Sequence, residues 1–234
     1  MELKQNTTFA QRVSAFYGNL SLDVELPEGI VLLNPYKDPR VLETTAIFYN
    51  KFFNDKAERR LILGINPGRL GAGSTGVPFT DSKRLIEDCG IPFDGKLMHE
   101  PSSAFIYELI DAWGGPEMFY SRFFIGSVCP LGFVTRSLEG KEKNINYYDN
   151  KRLLLSVTSF IKNSICQQIM LGCSRKICYC LGTGENYRYL SQLNAREKYF
   201  ERIIPLEHPR FIMQYKSKKK ADYISHYISQ LDCV

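Results

Sequence analysis

The chain has 234 residues, 44% hydrophobic and 24% charged, with a net charge of +5 from 30 Lys and Arg against 25 Asp and Glu. Those shares are those of an ordinary globular protein with apolar residues enough for a full core, and they exclude a low-complexity or fibrous chain. The mild positive balance leans toward anionic partners and is too small to mark nucleic-acid binding by itself.

In chain order, Phe9, Val13 and Phe16 at helical spacing with a stop at Gly18 predict a helix over residues 8 to 18. Residues 20 to 36 read as loop and short extended structure broken by Pro27 and Pro35, and residues 39 to 54 as a second helix with Val41, Ile47, Phe48 and Phe52 on its apolar side. The turn Asn54-Asp55-Lys56 then leads into a buried strand, Leu61-Ile-Leu-Gly-Ile65, which ends in Asn66-Pro67 and a glycine-rich loop closing at Gly76-Val77-Pro78-Phe79. A short helix from Asp81 to Gly90 follows, then a helix capped at Glu100-Pro101 that runs to Gly114-Gly115.

Phe123 to Leu131 is the second buried strand, stopped by Pro130. A polar loop is expected through Lys143, and a long helix from about Asp149 to Leu171. Lys176 to Leu181 is the third strand, followed by a Gly-Thr-Gly turn and a helix. Phe200 to His208 is the fourth strand, and Ser217 to Leu231 a final helix. Strands separated by helical stretches predict a three-layer αβα fold: a central, mainly parallel four-stranded sheet flanked by helices. No repeat or linker divides the chain, so one domain spanning residues 1–234 is expected, with N-terminal helices in residues 1–58 packed on it.

Seven cysteines at irregular spacing, several inside apolar runs, read as reduced buried thiols, and no zinc or iron–sulfur spacing is present. Glu2, Lys4, Gln5 and Arg12 argue against a signal peptide, and no apolar run approaches the roughly 20 residues that cross a bilayer. The expectation is a soluble cytoplasmic protein, nucleoid-associated in a bacterium or nuclear in a eukaryote.

The glycine loop invites two familiar codes, and neither fits. Gly71-Ala-Gly73-Ser-Thr-Gly76 has the letters of a dinucleotide fingerprint, but there the glycines follow the strand directly and open a helix. Here Pro67 intervenes and Pro78 interrupts. Read as a phosphate loop, the stretch carries Ser74 where the lysine belongs. A purely structural turn leaves unexplained why a buried strand ends in a polar Asn and why an aromatic follows the loop.

The ordered set is more specific. Gly64-Ile-Asn66-Pro67-Gly68 and Gly76-Val77-Pro78-Phe79 at this separation, then Cys129-Pro130-Leu131, Leu181-Gly182-Thr183-Gly184 and Glu207-His208-Pro209-Arg210, resemble the motifs of the uracil-DNA glycosylase superfamily over roughly residues 60 to 215. The likeness is greatest to the single-strand-selective monofunctional (SMUG) branch. It implies an enzyme that flips a base out of DNA and hydrolyses its glycosidic bond, with Asn66 orienting the water and His208 hydrogen-bonding the carbonyl oxygen of the departing base. Phe79 would stack on the flipped base, and the backbone of Gly68 and its neighbours, Ile65 among them, would approach it closely.

Two departures from the branch bear on specificity. Ser127 stands where the branch carries an Asn that reads the uracil edge. A hydroxyl donates or accepts by rotating, so a relaxed base range is expected, with hypoxanthine and xanthine admitted beside uracil. The last motif is abbreviated, which leaves Arg210 and Phe211 as candidates for the wedge that fills the gap in the base stack. Lys216, Lys218, Lys219 and Lys220 follow directly, placed to meet DNA phosphates.

The expected protein is thus a monomeric, monofunctional glycosylase acting on single- or double-stranded DNA in base excision repair. It needs no cofactor or metal, and no motif lysine is placed for lyase chemistry. Two alternatives stay open: a non-catalytic module that binds damaged or abasic DNA, and a hydrolase of free nucleosides.

Overall fold

The structure, a computed structural model, describes residues 7–136 and 140–232. The first part of the chain gives α1 (Phe9–Gly18), β1 (Ile30–Leu33), α2 (Pro39–Phe52), β2 (Arg59–Gly64), α3 (Ala72–Thr75), α4 (Ser82–Glu87), α5 (Pro101–Ala112) and α6 (Pro116–Arg122). The rest gives β3 (Phe123–Ser127), β4 (Gly132–Arg136), β5 (Glu142–Ile145), α7 (Lys151–Met170), β6 (Cys173–Leu181), α8 (Glu185–Glu197), β7 (Arg202–Leu206), α9 (Pro209–Tyr215) and α10 (Lys220–Asp232).

The four expected strands form one sheet in the order β3-β2-β6-β7, every neighbouring pair parallel. A parallel sheet is covered on both faces, so its central strands read as continuous apolar runs. Leu61, Ile62 and Leu63 of β2 and Cys178 to Leu181 of β6 are accordingly buried. Helix α6 packs on β2 and β3, and α7 and α8 pack on β6. The connection leaving β2 runs to one side and that leaving β6 to the other, so the carboxyl ends of these neighbours form the crevice at which such sheets place ligands.

The chain expected as a polar loop between the second strand and the long helix is instead a hairpin. Strand β4 pairs antiparallel with β5 and with β1, a second sheet of three strands. The partners Phe133 and Ile145 turn apolar groups inward, while Arg136 and Glu142 form a cross-strand ion pair of 2.7 Å on the other face. Three short helices also went unforeseen: α3 inside the glycine loop, and α6 and α9, which each open on a proline at the first turn. The last helix begins later than expected, at Lys220, after a single 3-10 turn.

The N-terminal helices close one side of the sheet with aromatic rings. Phe9, Tyr49 and Phe53 surround Phe124 of β3 at centroid distances of 5.3 to 6.0 Å. They also reach the glycine loop. Tyr36 donates its hydroxyl proton to the Gly76 carbonyl at 2.9 Å, and a Cβ at Gly76, whose φ is +75°, would overlap Thr45 of α2. Six described cysteines are free. Burial pushes the Cys180 thiol up to about 12 and Cys178 well above its ordinary value, so these two stay protonated, in keeping with structural thiols.

Candidate active site

Asn66 follows the carboxyl end of β2, and its amide is oriented by the hairpin and the turn after it. Nδ2 donates to the Ile145 carbonyl at 3.3 Å and the Pro67 carbonyl at 3.4 Å, and Oδ1 accepts from the Tyr147 backbone N–H at 3.0 Å. This pattern fixes which end of the amide is oxygen and leaves one lone pair of Oδ1 unused. The lock has a second stage. The buried Tyr147 hydroxyl donates to Asn186 Oδ1 at 2.8 Å, and Asn186 Nδ2 donates to the Leu181 carbonyl at the end of β6 at 3.0 Å.

Phe79 closes the glycine loop with φ +53°, a left-handed conformation that costs a bulky residue free energy unless its surroundings impose it. They do so on both sides. Thr75 Oγ1 accepts from the Val77 N–H at 3.2 Å and donates to the Thr80 carbonyl at 2.6 Å, while the Thr80 hydroxyl meets Tyr107 at 3.0 Å. The half-buried ring lies over β2 where that strand has no side chain: a Cβ at Gly64 would come within 2.7 Å of it.

Ser127 ends β3 opposite Gly64 and is buried. Its backbone is held by the fully buried Gln168 of α7, which accepts from the Ser127 N–H at 3.2 Å and donates to its carbonyl at 3.0 Å. No described residue hydrogen-bonds the Ser127 hydroxyl. The adjoining ladder continues past both strands, with Cys129 N–H donating to the Ile65 carbonyl at 3.0 Å.

His208 arrives from β7 as the N-cap of α9, and its Nδ1 accepts from the Arg210 backbone N–H at 3.1 Å. An acceptor Nδ1 leaves the neutral ring's proton on Nε2. Burial, and then the Arg210 charge, push the ring's pKa down to about 4, so the imidazole is neutral at physiological pH. Its centroid is 5.7 Å from that of Phe79. Asn66, Phe79, Ser127 and His208 thus converge, with Ile65, Gly68 and Arg210, on one cavity of about 160 Å³.

The family model of the uracil DNA glycosylase superfamily matches residues 51–232. The chain belongs to that superfamily. The crystal structure of wild-type SMUG2 from Pedobacter heparinus aligns with a TM-score of 0.94 at 53% identity, over 95% of this chain and 96% of that one. That likeness bears out both the resemblance to the SMUG branch and the glycosylase-like fold. Among curated proteins, none matches.

Other residues of the cavity carried no local signal. Glu100, Ser102, Asn144 and Asn146 line it as well. Asn144 Oδ1 accepts from the Arg69 N–H at 3.3 Å and so ties β5 to the glycine loop. Burial, then the neighbouring Asp81 carboxylate, raise the Glu100 carboxyl to about 7, with Arg210 pulling the other way. Tyr147, Gln168 and Asn186 act one layer behind. The hairpin that carries Asn144 shows no clean alternation of polar and apolar residues, and Gln168 and Asn186 are single polar residues inside amphipathic helices.

The remaining expected residues lie outside the cavity. Phe211 sits on the first turn of α9, 42% exposed, against the 64% exposed Tyr215 at a centroid distance of 5.5 Å. Lys216, Lys218 and Lys219 are exposed around the 3-10 turn that follows. Lys220 differs, because its Nζ is paired with Glu108 of α5 at 2.6 Å. Among the described residues no cluster of His, Cys, Asp and Glu could hold a metal, and no helix is long and apolar enough to cross a membrane.

Proposed function

We propose that this chain is a monofunctional DNA glycosylase that binds DNA through the α9 surface, draws a deaminated base into the cavity and hydrolyses its N-glycosidic bond. Uracil, hypoxanthine and xanthine are the substrates in view, and an abasic site and free base are the products. It acts as a monomer, folded as one domain, in the compartment that holds DNA. The observation that carries the reading is the convergence of a backbone-locked Asn66 amide, the Phe79 ring and a neutral His208 on one cavity at the carboxyl edge of the sheet.

Each group has a chemical task. An extruded base stacks on Phe79, a contact worth roughly 1–3 kcal/mol. The free lone pair of Asn66 Oδ1 accepts a hydrogen bond from water and aims its oxygen at C1′. As the glycosidic bond breaks, negative charge collects on the base, and His208 Nε2–H donates to its carbonyl oxygen. A neutral donor does this without titrating near pH 7. The Ser127 hydroxyl, without a partner among the described residues, adapts to the rest of the base edge.

The test is excision from single-stranded and duplex oligonucleotides containing each of the three bases, with abasic sites revealed by alkali. Wild type is expected to give product, and Asn66→Ala and His208→Ala to lose on the order of 100-fold in rate. Binding without product on any of the three would instead assign a damage-binding module. Release of base from free nucleosides but not from DNA would assign a nucleoside hydrolase.

A further inference from the structure

Water attack at C1′ releases a proton, and an amide cannot take it. Asn66 can orient a water but has no basicity near neutral pH. Among the described residues, Glu100 is the one carboxyl on the cavity wall. It sits at the start of α5, fixed by its own backbone: its N–H donates to Asp81 Oδ2 at 2.6 Å, and its carbonyl accepts from Ala104 N–H at 3.1 Å. The side chain lies across the glycine loop just beyond Asn66. A Cβ at Gly71 would overlap Oε2, and one at Gly68 would stand 3.9 Å from Oε1.

Neither oxygen accepts a hydrogen bond from a described residue, although Glu100 is half-buried at the cavity wall. Partly desolvated acceptors without donors are costly, and inside a cavity they await a ligand or a water. The groups around it are Asp81 at the cap of α4, His99 at 3.7 Å from Asp81, and Arg210 and His208 at the start of α9. A general base works best when its proton affinity sits near the working pH, and these surroundings place Glu100 there.

We propose that Glu100 is the general base of the glycosylase reaction, accepting a proton from the water that Asn66 orients. The role rests on the glycosylase reading above. The water oxygen bonds to C1′ while the C1′–N bond breaks and its electron pair leaves on the base, and one water proton passes to the Glu100 carboxylate. His208 hydrogen-bonds the departing base throughout. The proton on Glu100 then goes to the released base or to solvent, and the carboxylate is restored.

Single-turnover excision of uracil from a single-stranded oligonucleotide tests this from pH about 5 to about 9, for wild type, Glu100→Gln and Glu100→Asp. Affinity for an oligonucleotide carrying an uncleavable uracil analogue is measured alongside. The wild-type rate should climb through neutrality and level off above it. Glu100→Gln should lose on the order of 100-fold at the plateau and lose the neutral limb, Glu100→Asp should recover part of both, and affinity should stay within about twofold. At pH about 8, melting of Glu100→Gln should match or exceed wild type, because a carboxyl raised by burial destabilises the fold once ionised. A Gln variant that keeps its rate and its neutral limb, or that loses affinity alone, overturns the role. Absence of product from wild type at every pH overturns the glycosylase reading itself, and the role of Glu100 falls with it.

Discussion

The two strand ends that meet at the cavity are built in opposite ways. Past β2, Asn66 has both ends of its amide held by backbone groups of Pro67, Ile145 and Tyr147. At the end of β3, Gln168 grips the Ser127 backbone and leaves its hydroxyl without a described partner. The first side chain is fixed in orientation and the second is a rotor on a fixed mount. The proposed reaction, which would place one water and accept several bases, calls for this division: rigidity where the nucleophile would sit and freedom where the base edge would vary.

The sharpest way to break the contrast is Asn66→Asp, which exchanges an NH₂ for an oxygen facing two carbonyls. Removing donors from a locked position should cost about 1–3 kcal/mol in urea unfolding and reduce excision by more than the stability loss explains. The carbonyls raise the new carboxyl's folded pKa, so the penalty is small in acid and grows as pH rises past the ordinary aspartate value. Ser127→Asn works from the other side by replacing the rotor with an amide. It should narrow the base range, lowering hypoxanthine and xanthine excision on the order of tenfold relative to uracil.

Effects on the far wall are smaller. His208 should titrate at about 4 when followed by NMR. Since folding depresses this pKa, the unfolded chain binds more protons between the ordinary histidine value and that point, and stability falls as pH drops through the window. Lys218→Ala and Lys219→Ala should each reduce the slope of log affinity against log salt by about one, while Lys220→Ala moves it less because Glu108 already holds that ammonium. Smallest is Tyr147→Phe. It orphans the buried Asn186 Oδ1 and should lower stability by about 1 kcal/mol with excision nearly intact, because the backbone N–H that holds Asn66 remains.

The parallel sheet was legible in its apolar runs, whereas Asn66, Phe79 and His208 were singled out by the ordered motifs of the family resemblance, and the structure gathers them on one cavity. What stayed hidden joins residues far apart in the chain. Tyr147 meets Asn66 across 81 positions and Gln168 meets Ser127 across 41, and neither carries a pattern of its own. The hairpin β4–β5 was masked by its outward charges, which make Lys143, Glu142 and Arg136 look like loop. Glu100 read only as a helix start, since its proton affinity depends on Asp81 and on burial, which spacing does not reveal.

The hydroxyl of Tyr36 on the Gly76 carbonyl has a consequence for how the protein can be cut. Every residue on the cavity wall is numbered 65 or higher, and the family match itself begins at residue 51. A fragment trimmed to that match would therefore keep the whole reactive inventory and yet lose the splint that holds the glycine loop three residues before Phe79. Its deficit would be one of packing and geometry, since Phe9 and Tyr49 leave the face of the sheet with that splint, and no reactive group would be missing. Supplying residues 1–50 as a separate piece, in place of any restored side chain, is the repair that the contact dictates.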